Sequence, residues 1–161
     1  MERDNASSAV NQQERLDSYI AGYVDGEGFV SRRRSTESET TRAGWQLVPE
    51  FHVSQNAERR QVLDLIRTRL GCGRIQANHR RSADTSLVYV VRNRNDLLTK
   101  VIPFFERHPL LSAKQEEFVA FSAIVRSMAR GEHLDREGFR SIRTAAVSMN
   151  GGGRYRRVHR M

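Results

Sequence analysis

Two carboxylates set among three glycines, Asp25 and Glu27 in the stretch YIAGYVDGEGFV from Tyr19 to Val30, are the residues whose types and spacing stand out for chemistry. An apolar run at helical spacing leads into them, so Glu27 falls where the helix should stop. A helix C-terminus carries partial negative charge, and a Glu there works against the macrodipole. Broken local rules concentrate at functional sites, and an oxygen ligand is the chemistry such a carboxylate offers; the bland alternative is a solvated helix-end acid. Asp25 reads as a structural residue that caps or bridges the same helix end.

The elements that must position these acids follow from periodicity. Residues 1–12 read as a flexible arm, 13–149 as a single domain and 150–161 as a basic tail. Helix one, Gln13 to Val24, carries Leu16, Tyr19, Ile20, Tyr23 and Val24 at helical spacing. FVSRRRS and WQLVPEFHVSQ then read as a hairpin, with Leu47, Phe51 and Val53 on one face and Gln46, Glu50 and His52 on a wet one. NAERRQVLDLIRTRL is helix two, stopped by GCG, and RIQANHRR with TSLVYVVR forms a second hairpin. NDLLTKVIPFFERH gives a third helix capped by Asn95 and disturbed at Pro103. A fourth follows, with Ser112 as N-cap and Gly131 as C-cap, and Asp135 opens a fifth to about Met149. The order α-β-β-α-β-β-α predicts an α+β fold: a four-stranded antiparallel sheet with helices on one face and an open basic face on the other.

The chain has 161 residues, with 27 Lys plus Arg against 19 Asp plus Glu, a net charge of +8 that suits a partner bearing phosphates. The basic residues are mostly arginine, which favours nucleic acid. A twisted antiparallel ribbon fits the major groove, where alternate side chains reach base edges. Ser31, Arg33, Gln46, Glu50, His52, Arg74, Gln76, Asn78, Arg80, Thr85 and Tyr89 are the candidate DNA-binding residues, with Arg32 or Arg34 as replacements for Arg33. Cys72 is the only cysteine, which excludes an internal disulfide and a multi-cysteine zinc site. The five histidines lack metal-ligand spacing. The N-terminus lacks a signal-peptide layout and no run approaches membrane-spanning length, so the expected location is intracellular, a bacterial or archaeal cytoplasm or an organelle.

IAGYVDGEG, from Ile20 to Gly28, resembles the signature of the LAGLIDADG homing endonucleases, whose core has the same element order. FHVSQNAERRQVLDLI and HPLLSAKQEEFVAF resemble two further segments of that family. The resemblance implies a Mg²⁺-dependent, site-specific endonuclease, encoded in a mobile intron or intein, that cuts double-stranded DNA to leave 3′ overhangs. It also implies roles. Glu27, where relatives commonly have Asp, and the Gly26 carbonyl hold divalent metal; Gln55 orders the attacking water. Arg59 stabilises charge on the phosphate, with Arg60 as its competitor, and Lys114 supplies another cation, with Ser112 as the alternative at that place.

Ala21, Gly22 and Gly26 form a small-residue stripe that lets two helix backbones approach. Single-motif relatives are homodimers paired through this helix, so Ile20, Ala21, Gly22, Val24 and Asp25 are the expected interface and the target is pseudo-palindromic. The two Glu27 carboxylates would then lie near DNA phosphates, a juxtaposition that needs cations. The competing readings are a non-cleaving binder on the same scaffold, acting on intron RNA as a maturase or as a transcription regulator, and a basic ribosome-binding module.

Overall fold

The computed structural model describes residues 2–27, 34–37, 45–78 and 85–149. The expectations for Ser31, Arg33 with its alternative Arg32, Arg80 and the tail 150–161 lie outside the described residues, as do the side chains of Arg34 and Gln46. Helix α1 is Glu2–Glu27, so it begins well before Gln13. The expected arm is helical because residues 2–12 contain no glycine or proline to break the helix. Its 26 residues span about 39 Å.

Strands β1 (Arg34–Glu37) and β2 (Trp45–Val48) form an antiparallel ribbon, and β3 (Phe51–Asn56), β4 (Arg74–Ala77) and β5 (Ser86–Val91) form a sheet in the order β3-β5-β4. The expected four-stranded sheet is therefore, among the described residues, a two-stranded ribbon and a three-stranded sheet. The run from Trp45 to Asn56 breaks at Pro49, which has no N–H for a ladder. Phe51 pairs with Val91 and Val53 with Tyr89, while Ile75 pairs with Tyr89 from the other side. These residues, with Gln55, share one face, and that face meets the helices.

Helix α2 (Arg60–Leu70) buries Leu63, Ile66 and Leu70. It ends at Gly71, whose positive φ of 62° suits glycine and whose N–H closes on Arg67 O. At Gly73 a Cβ would lie 2.7 Å from the Tyr89 ring, so the turn rests directly on that tyrosine. Tyr89 was expected to face DNA; it is instead fully buried, its hydroxyl donating to Cys72 O at 2.9 Å. Both alternate residue sets of β5 are apolar, so pattern alone does not say which faces inward. Pairing with Val53 puts Tyr89 inside.

The third helical stretch comprises α3 (Arg94–Asp96), a wide π turn (Leu97–Val101) and α4 (Ile102–Arg107). Asn93, not Asn95, is the cap, its side chain accepting from Asp96 N. The π turn ends two residues before Pro103, whose ring would clash with the carbonyl of residue 99 in a regular helix. Helix α5 (Lys114–Ala129) starts one residue later than a Ser112 cap would give, with Ala113 in the cap position. It is stopped by Gly131, and α6 (Arg136–Met149) follows. Ile20 and Val24 of α1 join Phe51, Val53, Tyr89, Leu63, Ile66, Phe104, Phe105, Phe118 and Phe121 in one core. Ile124, Met128 and Ile142 form a smaller one beneath α6.

A buried ion pair fixes α1 on this core. Asp17 takes Arg69 Nε at 2.5 Å and Nη2 at 2.8 Å, Gln13 Nε2 at 3.1 Å, and lies 3.3 Å from His108 Nε2. Burial alone would raise the carboxyl's pKa, yet the hydrogen bonds from Arg69 and Gln13 and the charges of Arg69 and His108 carry it below its ordinary 3.8. The pair's contribution is thus complete above 3.8 and is lost as pH falls through the lower folded value. Asp17→Asn strands a half-buried Arg69, with an expected loss of about 2 kcal/mol at pH 7 in urea unfolding. The gap from wild type should narrow when the titration is repeated near pH 2.

Candidate active site at the end of helix α1

The last residues of a helix leave backbone carbonyls unpaired, and around the end of α1 lie polar groups from β3, α5 and the segment before α5. Lys114 donates through Nζ to the carbonyl of Asp25. The Asp25 carboxylate accepts from Ser112 Oγ and from the backbone N–H groups of Leu111 and Ser112, both at 3.1 Å. These bonds, that from Ser112 Oγ foremost, hold the Asp25 carboxyl below its usual range despite an opposing push from burial. Asp25 therefore bridges α1 to the 110–112 segment, as a structural residue would. Lys114 also brings to the helix end the positive charge that α1 lacks in its own last turn.

On the sheet side, Gln55 donates through Nε2 to the hydroxyl of Tyr23, one helical turn before Glu27, and its Oε1 accepts from Asn56 N at 2.7 Å. Burial raises the Tyr23 hydroxyl's pKa, the Gln55 bond opposes this, and the Glu27 and Arg59 charges act on it in opposite directions. Tyr23 is thus hydrogen-bonded to Gln55 and within electrostatic reach of Glu27 and Arg59. Reading it only as part of an apolar stripe missed this; the signal available was that a buried phenol needs a polar partner. Arg59, the residue before α2, is exposed and makes no ion pair with a described residue, whereas Arg60 is paired with Asp64 at 3.1 Å. Glu27 and Gly26 are exposed, and no described residue bonds the Glu27 carboxylate.

Among the described residues no cluster of three His, Cys, Asp or Glu could hold a metal. Among the described residues at this helix end, the hard oxygens left open are the Glu27 carboxylate and end carbonyls of α1. As a donor set they fit a hard divalent cation that keeps waters and takes few protein ligands.

The expected dimer face needs correction. Ile20 and Val24 are 0% and Ala21 6% exposed within the chain itself, and Asp25 is turned to its own 110–112 segment. Gly22 remains exposed, in a stripe with Ser18, Tyr19 and Gly26. A Cβ at Gly22 or Gly26 would meet nothing within 4 Å.

The expected reading face divides too. Arg74 and Gln76 lie opposite Val90 and Val88, with Arg74 Nε donating to Gln76 Oε1 at 3.1 Å, and Thr85 is exposed. Asn78 donates to Ser86 Oγ at 3.2 Å. Glu50 and His52 are only 7% and 6% exposed, so they are not on a wet face. At the Pro49 break Glu50 turns to Arg92, accepting from its Nε at 2.6 Å, with His52 Nδ1 at 3.8 Å from the other carboxylate oxygen. Arg92 was not anticipated.

Residues 20–125 match the LAGLIDADG endonuclease family. The DNA endonuclease I-CeuI of Chlamydomonas moewusii is 31% identical over 123 residues, 74% of this chain and 55% of that protein. An uncharacterized 50.9 kDa protein in ND4 intron 1 of Podospora anserina is 31% identical over 118 residues, 72% of this chain and 25% of that protein. The chain thus spans about half or less of these relatives. Among solved structures, the homing endonuclease I-TnaI superposes with a TM-score of 0.77 at 37% identity, covering 87% of this chain and 91% of that one. Meganuclease I-SmaMI bound to uncleaveable DNA gives 0.78 at 29%, covering 84% and 45%. I-SmaMI has also been seen on an uncleaved DNA target with calcium ions, at a TM-score of 0.75, 29% identity and coverages of 82% and 44%.

If Asp25 ties the site together as described, Asp25→Asn should loosen the 110–112 segment locally. Amide exchange of Leu111 and Ser112 at pH 7 is expected to quicken about tenfold, with little change at core amides such as Val53.

Proposed function

The chain belongs to the LAGLIDADG endonuclease family, and on that premise we propose that it is a Mg²⁺-dependent homodimeric endonuclease that cuts both strands of a specific DNA target. The observation that carries this reading is the exposed Glu27 carboxylate at the end of α1, beside the Tyr23–Gln55 pair and the Lys114 that caps Asp25.

In this reading Glu27 and the Gly26 carbonyl would hold the divalent metal at the end of α1. A bound Mg²⁺ would supply Lewis acidity at the phosphate and lower the pKa of a coordinated water. Gln55 orders the attacking water, whose oxygen joins phosphorus as the bond to one ester oxygen breaks; that bond's electron pair leaves on the ester oxygen, and the water's proton passes to solvent. Arg59 and Lys114 bring positive charge toward the phosphate as negative charge develops on it. Arg74, Gln76, Asn78 and Thr85 are the described residues offered for contacts to bases or phosphates. The exposed Ser18, Tyr19, Gly22 and Gly26 stripe is where a second copy's helix would approach, which sets two sites on a pseudo-palindromic target.

Glu27→Gln tests the chemistry. With Mg²⁺ and a library of randomised and intron-insertion-site duplexes, the wild type should cut a subset, and the variant should bind the same duplexes uncut. EDTA should abolish cutting by the wild type. Equal cutting by both proteins removes Glu27 from the mechanism; binding without cutting by the wild type turns the reading to a non-cleaving binder of DNA or intron RNA. Gly22→Leu tests the interface. Its monomer should gain up to about 1 kcal/mol of stability, because leucine is the better helix former and the space at Gly22 is open. Sedimentation should nonetheless show the dimer weakened by about tenfold or more, since helix backbones can no longer approach.

A further inference from the structure

Gln55 is an amide with two distinguishable ends, and its partners settle which end is which. The Asn56 backbone N–H can only donate, so the atom facing it at 2.7 Å is Oε1. The other end, Nε2, must then be the donor to the Tyr23 hydroxyl. Each end has capacity to spare: Nε2 carries a second hydrogen and Oε1 a second lone pair. One free donor and one free acceptor on a single planar group are what is needed to orient a water molecule.

The Asn56 bond fixes the sense of the amide but not its reach, since it comes from the neighbouring residue of the same strand. The Tyr23 bond spans from β3 to α1 and draws the amide to the helix that carries Glu27 one turn later. Tyr23 packs against the core and leans on Tyr19 at 6.1 Å between ring centroids, so its hydroxyl is a fixed point. Gln55 is itself buried.

We propose that Tyr23 is a positioning residue for the cleavage reaction: its hydroxyl holds the Gln55 amide at the end of α1, with one donor and one acceptor left for the attacking water. The proposal rests on the endonuclease reading and adds to it a side chain that the catalytic assignment omits. Tyr23→Phe removes the hydroxyl and keeps the ring, so packing is preserved while Gln55 is released.

The test uses the full chain, Mg²⁺ and a duplex recovered by wild-type cleavage from the randomised library. Single-turnover cutting by Tyr23→Phe is expected to fall about tenfold, while duplex affinity and the urea midpoint stay close to wild type. Gln55→Ala should be slower still, and adding Tyr23→Phe to it should cost nothing further, because a positioning residue has no effect once its target is gone. The Gln55 side-chain amide resonances should also shift in Tyr23→Phe without DNA. Wild-type rates in Tyr23→Phe, multiplicative losses in the double variant, or unmoved Gln55 resonances each overturn the proposal. A wild type that binds but cuts nothing overturns the endonuclease reading and the kinetic role of Tyr23 with it; wild-type cutting with an unaffected variant strikes the proposal alone.

Discussion

The placement of α1 is the constraint on which the rest depends. The helix is fastened at two carboxylates eight residues apart, about 12 Å along its axis. Asp17 is gripped by Arg69 from the end of α2, with His108 beside it, and Asp25 by the backbone of residues 111 and 112. Between them Ile20 and Val24 are buried in the core. With position and rotation both set, the helix has one face committed to its own chain. Ser18, Tyr19, Gly22 and Gly26 are left outside. A stripe of glycines on a free helix would say little; on a helix whose opposite face is fixed by buried aliphatics and an ion pair, it defines the side from which another helix can come.

The same fastening resolves the electrostatic oddity at the helix end. Unpaired carbonyls and a Glu would repel one another, yet Lys114 donates to one of those carbonyls, and the Asp25 charge is spent on three donors from a single loop. Arg59 acts across space on Tyr23, as Glu27 does with opposite sign. The helix end is therefore a balanced set of charges in which one carboxylate, that of Glu27, has no partner among the described residues.

Legibility in the sequence followed how local the determinant was. Glu27, Gln55 and Lys114 stand in short segments whose order along the chain could be read directly, and the structure gathers them around one helix end. Facing was harder. Ile20 and Gly22 lie two residues apart and thus about 200° around the helix, so a stripe drawn through both mixes the core face with the open one. In β5 Leu87, Tyr89 and Val91 alternate with Val88 and Val90, an apolar run in which only pairing with β3 decides what is inside. Glu50 and His52 do alternate with Phe51 and Val53, but a long-range partner, Arg92, takes the Glu50 carboxylate out of water. Parity is visible in a sequence; a partner 42 positions away is not.

Counting hydrogen-bonding capacity separates the structural polar groups here from those available for chemistry. The Asp17 and Asp25 carboxylates and the Tyr89 hydroxyl each have partners within the chain, and each holds two elements together. The groups at the end of α1 are different in kind. Lys114 uses one of its three N–H bonds on Asp25, Gln55 keeps one donor and one acceptor, and Glu27 and Arg59 have no hydrogen-bonded partner among the described residues. Spare valence of both signs is held in place at this helix end by neighbours whose own valence is spent. Tyr23 belongs to the same pattern: its hydroxyl oxygen takes one N–H of the buried Gln55 amide and leaves the other unused.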